Sequence, residues 1–218
     1  MKTKFLLAIL AGAFAALSAA KAEIILFAGN GGDLGKQESF TSGSITATAI
    51  AINTEEPAAP TLHQHLLGLG VKSGWHDSSQ IDNGGDDEAI VIDFGRSVNF
   101  HSILLSASFI DDDIRIYGTN DHSVAAVTSG GLSSITSIST LIAQTSGNLS
   151  TFVSLNIAGN AFQYLIATVP GTNGWFADDF RVKKVKVSEV PVPAALPLMI
   201  AGLAGLRLAS RRKRGPSV

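Results

Sequence analysis

The 218-residue chain contains no cysteine, which excludes disulfides, thiol nucleophiles and cysteine-ligated metal centres. A secreted domain of ordinary size can do without disulfides because its hydrophobic core suffices. Tryptophan and tyrosine occur twice each, so few amphipathic rings are available to stack on a ligand. Neither a Gly-x-Ser-x-Gly elbow nor a His-Glu-x-x-His helix is present, and two common hydrolase signatures fall away. There is no internal repeat. His63, His65, His76, His101 and His122 are scattered; only His63 and His65 would share a strand face, and they have no evident third metal ligand.

The two chain ends are what the sequence writes most plainly. Lys2 and Lys4 precede an apolar run over residues 5–17, and small residues lead to Ala20-Lys21-Ala22. This is the layout of a signal peptide, with cleavage expected after Ala22 so that Glu23 opens the mature chain. At the other end, Val190-Pro191-Val192-Pro193-Ala194 opens an apolar stretch reaching residue 206. Arg207, Arg211, Arg212, Lys213 and Arg214 close it. A bilayer core of about 30 Å needs roughly twenty apolar helical residues, so this stretch is a marginal span. Terminal positive charge would hold that end on the cytoplasmic side. The expected picture is transient insertion into the inner membrane; an ordinary C-terminal anchor is the alternative.

On those residues the tail resembles the PEP-CTERM class of bacterial sorting signals, in its Val-Pro-Leu-Pro-Ala variant. The resemblance implies an exosortase-type membrane transpeptidase as processing partner. It also implies a Gram-negative cell surface or extracellular matrix as destination, reached through a membrane-inserted precursor. Val192 stands where the variant has leucine, and Arg207 enters the helix early. Residues 1–22 are thus read as signal peptide, 23–188 as the folded domain and 189–218 as sorting signal.

Between residues 23 and 189 the chain keeps eighteen acidic residues but only eight basic ones, a net charge near −10. So acidic a body argues against nucleic acid or an anionic membrane as partner. About 167 residues give one domain with a core of adequate size.

Period-two patterns dominate this body. Ile45, Ala47, Ala49 and Ala51 alternate with Thr46 and Thr48, and short strands are expected over residues 23–28, 89–94, 98–109, 114–117, 152–157, 163–169 and 180–187. The last run slips register once, as a bulge would require. Residues 129–148, rich in Ser, Thr and Gly, read as loop or a weak strand pair, although Ile135, Ile138, Leu141 and Ile142 have helical spacing. The predicted fold is all-β, a single jelly-roll-type β-sandwich of about eight strands. Gly29, Gly32 and Gly35 after an apolar strand mimic a dinucleotide-binding turn. The following residues are strand-patterned rather than helical, which a phosphate site at a helix N-terminus cannot accept.

Chemistry concentrates in the acidic loop over residues 74–88. Asp82, Asn83, Asp86, Asp87 and Glu88 place hard oxygen donors close together, with Gly84 and Gly85 letting the backbone curl. Such a set can serve calcium, which takes six to eight oxygens; a plain solvated loop is the alternative. Two further acidic runs, Asp111-Asp112-Asp113 and Asp178-Asp179, would join that site only if the fold brought them near. No catalytic residue is assigned.

Residues 69–74, 81–83, 87–95 and 113–121 are similar to exported PEP-CTERM proteins with a discoidin-like sandwich. That resemblance implies a galactose-binding-like jelly roll, sometimes with calcium and sometimes with glycan ligands. Three functions follow as expectations. The first is a non-enzymatic surface or matrix protein, with extracellular polysaccharide as partner. The second is a carbohydrate-binding module using Trp75, Trp175, Phe176 or Tyr117 as stacking platforms. The third is a glycan hydrolase using a carboxylate pair such as Asp82 and Glu88, which would need a general acid of raised pKa in a pocket.

Overall fold

One strand organises the whole domain. In the computed structural model β8 (Glu88–Ala107) runs for twenty residues, and its two halves belong to different layers. The structure describes residues 21–53, 60–74, 77–83, 87–107, 113–126, 131–145, 152–157, 159, 161–170, 178–191 and 202–203. Lys21–Val190 form one compact unit. Among the described residues no helix is long and apolar enough to cross a membrane.

Residues 88–93 of β8 pair on one side with β4 (Ile45–Asn53) and on the other with β12 (Ala161–Thr168). β3 (Gln37–Ser42) extends this layer beyond β4. On the far side β9 (Ile114–Thr119) and β10 (Thr140–Thr145) extend it beyond β12. Past a bend at residues 95–97 the same strand pairs with β11 (Phe152–Asn156) and β13 (Asp179–Glu189). Along its outer edge β13 takes β7 (Ile81–Asp82), β6 (Gly68–Lys72) and β1 (Ala22–Leu26) in turn. β5 (Thr61–His65) and β2 (Gly32–Gly35) follow β6. Every pairing is antiparallel.

Gly95 makes the bend possible. Its φ of +65° is left-handed, a region that costs any residue with a Cβ. Asp93 Oδ1 accepts the Gly95 N–H at 2.7 Å and fixes the turn. A strand that switches layers at such a corner is a standard way to close a sandwich.

The main core lies between the layers. Ile45, Ala47, Ala49 and Ala51 of β4 contribute from one side, with Phe180, Val182, Val185 and Val187 of β13 from the other. Both alternations match the sequence expectation. The anticipated register slip in β13 is present between Val182 and Lys184; a second break, between Lys186 and Val187, falls where β8 skips His101 and was not anticipated.

The outer face of the first layer has its own smaller core. The helix α1 (Gly131–Ser137) lays Leu132 and Ile135 over Val91, Tyr164 and Ile166. Residues 129–148 were expected to be loop or weak strands, and the structure has a helix followed by β10. Hydroxyls from outside the helix satisfy carbonyls at its end and just past it: Ser139 Oγ donates to Ile135 O at 2.7 Å, and Thr119 Oγ1 of β9 to Ile138 O at 2.8 Å.

The strand count also differs. Thirteen strands are present among the described residues against about eight expected, and the two strands foreseen at 89–94 and 98–109 are one. The additional strands, such as Gly-Asp-Leu-Gly in β2 and Gln-Glu-Ser-Phe-Thr-Ser in β3, lack the apolar alternation that marks a half-buried strand.

Candidate functional site

The acidic loop leaves β6 and folds back onto it. At Gly70 a Cβ would lie 2.3 Å from the Ser79 carbonyl oxygen, so glycine is what lets the loop lie flat on the strand. Val71 N donates to Gln80 O at 3.2 Å. Arg181, a residue only 9% exposed, donates from its guanidinium to the carbonyls of Ser78 and Ser79. Burial lowers the Arg181 pKa, and Asp179 and Asp77 oppose that shift. Ile81 then plugs the core while Asp82 pairs with Asp179 on β13.

This closure gathers three carboxylates. Asp77, Asp82 and Glu88 each offer an oxygen within 4.8 Å of the others. Asp77 accepts the Ser79 N–H at 2.9 Å and also that of Ser73. Asp82 accepts from Ser78 Oγ at 2.8 Å. Glu88 is 2% exposed, accepts from the Ser73 hydroxyl and receives the Asp82 N–H at 3.3 Å. Desolvation pushes the Glu88 pKa up to about 9, the charges of Asp77 and Asp82 push the same way, and the Ser73 hydrogen bond opposes them.

Asp178 and Asp179 do come to this loop, and Asp113 reaches it only through Asp178; Asp111 and Asp112 lie outside the described residues. Asn83, 3% exposed, donates through Nδ2 to Pro170 O at 3.0 Å and to Asp178 Oδ2 at 3.3 Å. It accepts the Asp178 N–H through Oδ1 at 3.0 Å. Asp178 Oδ1 in turn accepts the Asp113 N–H at 3.0 Å. Asp179 accepts from Gln80 Nε2 at 2.5 Å.

The sequence-derived ligand set therefore divides. Asp82 and Glu88 lie in the cluster; Asn83 clamps the strand end at Asp178; Asp87 lines a cavity on the outer face of the first layer. Asp86 falls outside the described residues, as do Trp75, Trp175 and Phe176. Asp77 was not anticipated. Its signal was the Asp-Ser-Ser sequence, in which an Asp side chain accepts a backbone N–H two residues on. Of the targeting residues, Ala22 and Glu23 open β1, and Val190 and Pro191 follow β13. Ala20, Val192, Pro193, Ala194 and the basic residues from Arg207 to Arg214 lie outside the described residues.

The donor set fits a hard divalent cation. Three oxygens within 4.8 Å of one another can meet one ion at calcium–oxygen distances of about 2.3–2.6 Å, with carbonyls and water completing the shell. No histidine or cysteine is among the three, so softer metals have nothing to prefer here.

A second feature adjoins the cluster. Two cavities of about 200 and 190 Å³ meet at Arg115 and Pro170. Asp113 and Gln144 line one; Asp87, Tyr117 and Thr136 line the other. Glu88 lines neither of these two.

No protein-family model matches the chain, and no curated protein matches it. Among solved structures, a fucolectin from striped bass (Morone saxatilis) serum aligns at 10% identity and a TM-score of 0.38, covering 80% of this chain. The alignment spans only 51% of the fucolectin. The family 32 carbohydrate-binding module of Streptococcus pneumoniae EndoD aligns at 14% identity and a TM-score of 0.38, covering 65% of this chain and 96% of the module. The family 32 module of Clostridium perfringens NanJ, solved with galactose, aligns at 13% identity and a TM-score of 0.34, covering 66% and 93%. At this level of similarity no ligand or activity carries across.

Proposed function

We propose that the chain is an exported, non-catalytic β-sandwich module that works at the cell surface or in extracellular polysaccharide, with its acidic end organised by calcium. One observation carries the reading. A carboxylate as buried as Glu88, gathered with Asp77 and Asp82, is costly to ionise unless a cation sits among them. A structural cation relieves that cost directly.

In this reading Asp77, Asp82 and Glu88 hold the ion, which supplies the positive charge that lets all three remain ionised. Arg181 and Gly70 position the loop, and Asn83 ties the site to Asp178. Export through the N-terminal signal and sorting by an exosortase-type transpeptidase complete the proposal, on the strength of the terminal residues alone.

The test is thermal melting with and without calcium. Binding to the native state alone raises stability with ion concentration. The melting temperature of the wild type is expected to climb with calcium, and that of Glu88→Gln to respond far less. A melting temperature indifferent to calcium removes the cation. Intact mass of the protein recovered from cells tests sorting: a species cut after Ala22 that keeps Arg211 to Arg214 would remove the processing step.

A second reading, a carbohydrate-binding module, is favoured by the cleft at Arg115. Asp87 offers acceptors, Arg115 offers donors and Tyr117 offers a half-buried ring, which together suit a sugar. Loss of glycan-array binding in Tyr117→Ala would support it, and unchanged binding would remove that platform.

A further inference from the structure

Among the described residues, the outward side of the second layer is half-buried to exposed where residues 154–156 of β11, 102–104 of β8, 184–186 of β13 and 24–26 of β1 lie side by side. Cross-strand pairing sets its side chains in rows. One row runs Ser154, Leu104, Lys184, Leu26, and the next runs Asn156, Ser102, Lys186, Ile24. Ile24 is 49% exposed, Leu26 55% and Phe152 42%, so the apolar groups stand in solvent rather than in a core. Lys183, at the bulge, holds its Nζ 4.2 Å from the centre of the Phe152 ring.

No carboxylate belongs to these rows, although the body between residues 23 and 189 is strongly acidic. Three of its eight basic residues, Lys183, Lys184 and Lys186, sit together on β13. Meanwhile Asp77, Asp82 and Glu88 gather where β13 begins. On β13 itself the lysines lie between Asp179 at one end and Glu189 at the other.

The occupant must be anionic and must tolerate a flat surface. A second copy packed face to face would set these lysines against themselves. An anionic bilayer would meet the remaining negative charge of the body, and the apolar residues lie in rows along strands rather than on a protruding tip. An extended polyanion meets the same overall charge, but it is narrow enough to follow the lysine track, where the nearby charge is positive and the rest is screened. Lys184 and Lys186 are two residues apart on one strand, roughly 7 Å, and form a track of positive charge. Ser154, Asn156 and Ser102 offer hydrogen bonds beside it, and Ile24, Leu26 and Phe152 offer apolar contact for the C–H faces of sugar rings.

We infer that this face binds an acidic, carboxylate-bearing polysaccharide laid along β13. The inference rests on the proposed role in extracellular polysaccharide and adds the face and the charge class of the polymer.

The test uses the full chain recovered in its exported form, with polygalacturonate as acidic probe and dextran as neutral one, in affinity electrophoresis at low and high salt. Polygalacturonate is expected to retard the protein, less so at high salt, and dextran not to. Lys184→Gln with Lys186→Gln should weaken binding about tenfold, while the charge-matched pair Lys36→Gln with Lys72→Gln should not. Equal weakening by both pairs, or no retardation by polygalacturonate, overturns the inference. So does a preference for phosphatidylglycerol vesicles. Retardation by dextran alone, abolished by Tyr117→Ala, would keep the polysaccharide role and move it to the cleft. Calcium-independent melting with intact polygalacturonate binding would instead remove the cation reading and leave this face standing.

Discussion

The two halves of β8 share one backbone and differ in everything around it. Residues 88–94 are covered on both sides: Ile90, Ile92 and Phe94 face the main core, while Ala89 and Val91 lie beneath α1. Residues 98–107 are covered on one side, by Val98, Phe100, Ile103 and Leu105, and leave Ser102 and Leu104 half-buried. The sequence records the difference, as unbroken Ala-Ile-Val-Ile in the first half and alternation in the second. What decides it is a serine-rich helix some forty residues further along the chain, whose Leu132 and Ile135 supply the cover.

The doubly covered half begins with a carboxylate, and the largest expected effect follows from that. The Glu88 pKa is about 9 in the fold against an ordinary 4.5, so the folded state holds a proton that the unfolded chain has released. In calcium-free solution this stabilisation is complete below about pH 4.5 and is lost as pH rises toward about 9. With about 1.4 kcal/mol for each unit of separation, the loss is of order several kcal/mol. Urea melts at pH 5 and pH 8.5 should show it, Glu88→Gln should flatten it, and calcium should reduce it by favouring the ionised form. A stability that is level across this range, or that rises, would show that burial does not govern this group.

The contrast in packing can be broken directly. Ile92→Ala, in the doubly covered half, should cost about 3 kcal/mol through lost burial and a residual cavity. Leu104→Ala, on the outward face, should cost about 1 kcal/mol or less. Chemical denaturation of both variants checks the pair, and equal losses would mean that the second face is covered in solution.

Much of this architecture was legible where side chains alternate against a core, as in β4 and β13. It was not legible where the outward position is taken by backbone. In β6 the glycines at 68 and 70 look like loop residues, yet Gly70 is a strand residue whose missing side chain leaves room for Ser79. The helix was obscured because its formers are serines and only Leu132 and Ile135 bind it down. At the acidic end, density of oxygen donors pointed to Asp82 and Glu88. The joining of Asn83 to Asp178, 95 positions away, and of Asp113 to Asp178, 65 away, depends on tertiary closure that no local pattern encodes.

A modest effect lies at the boundary between the halves. Gly95 has φ +65° and nothing within 4 Å of where a Cβ would stand, so Gly95→Ala adds backbone strain without a clash. The expected cost is about 1–2 kcal/mol, the usual penalty of a left-handed conformation for an L-residue. Gly95→Asn should cost less, because asparagine tolerates that region. If the bend were instead held open by crowding, a larger side chain would be worse whatever its φ preference, and asparagine would destabilise more than alanine. The order of these two variants in a thermal melt therefore tells whether a single dihedral angle or local packing turns β8 from one layer into the other.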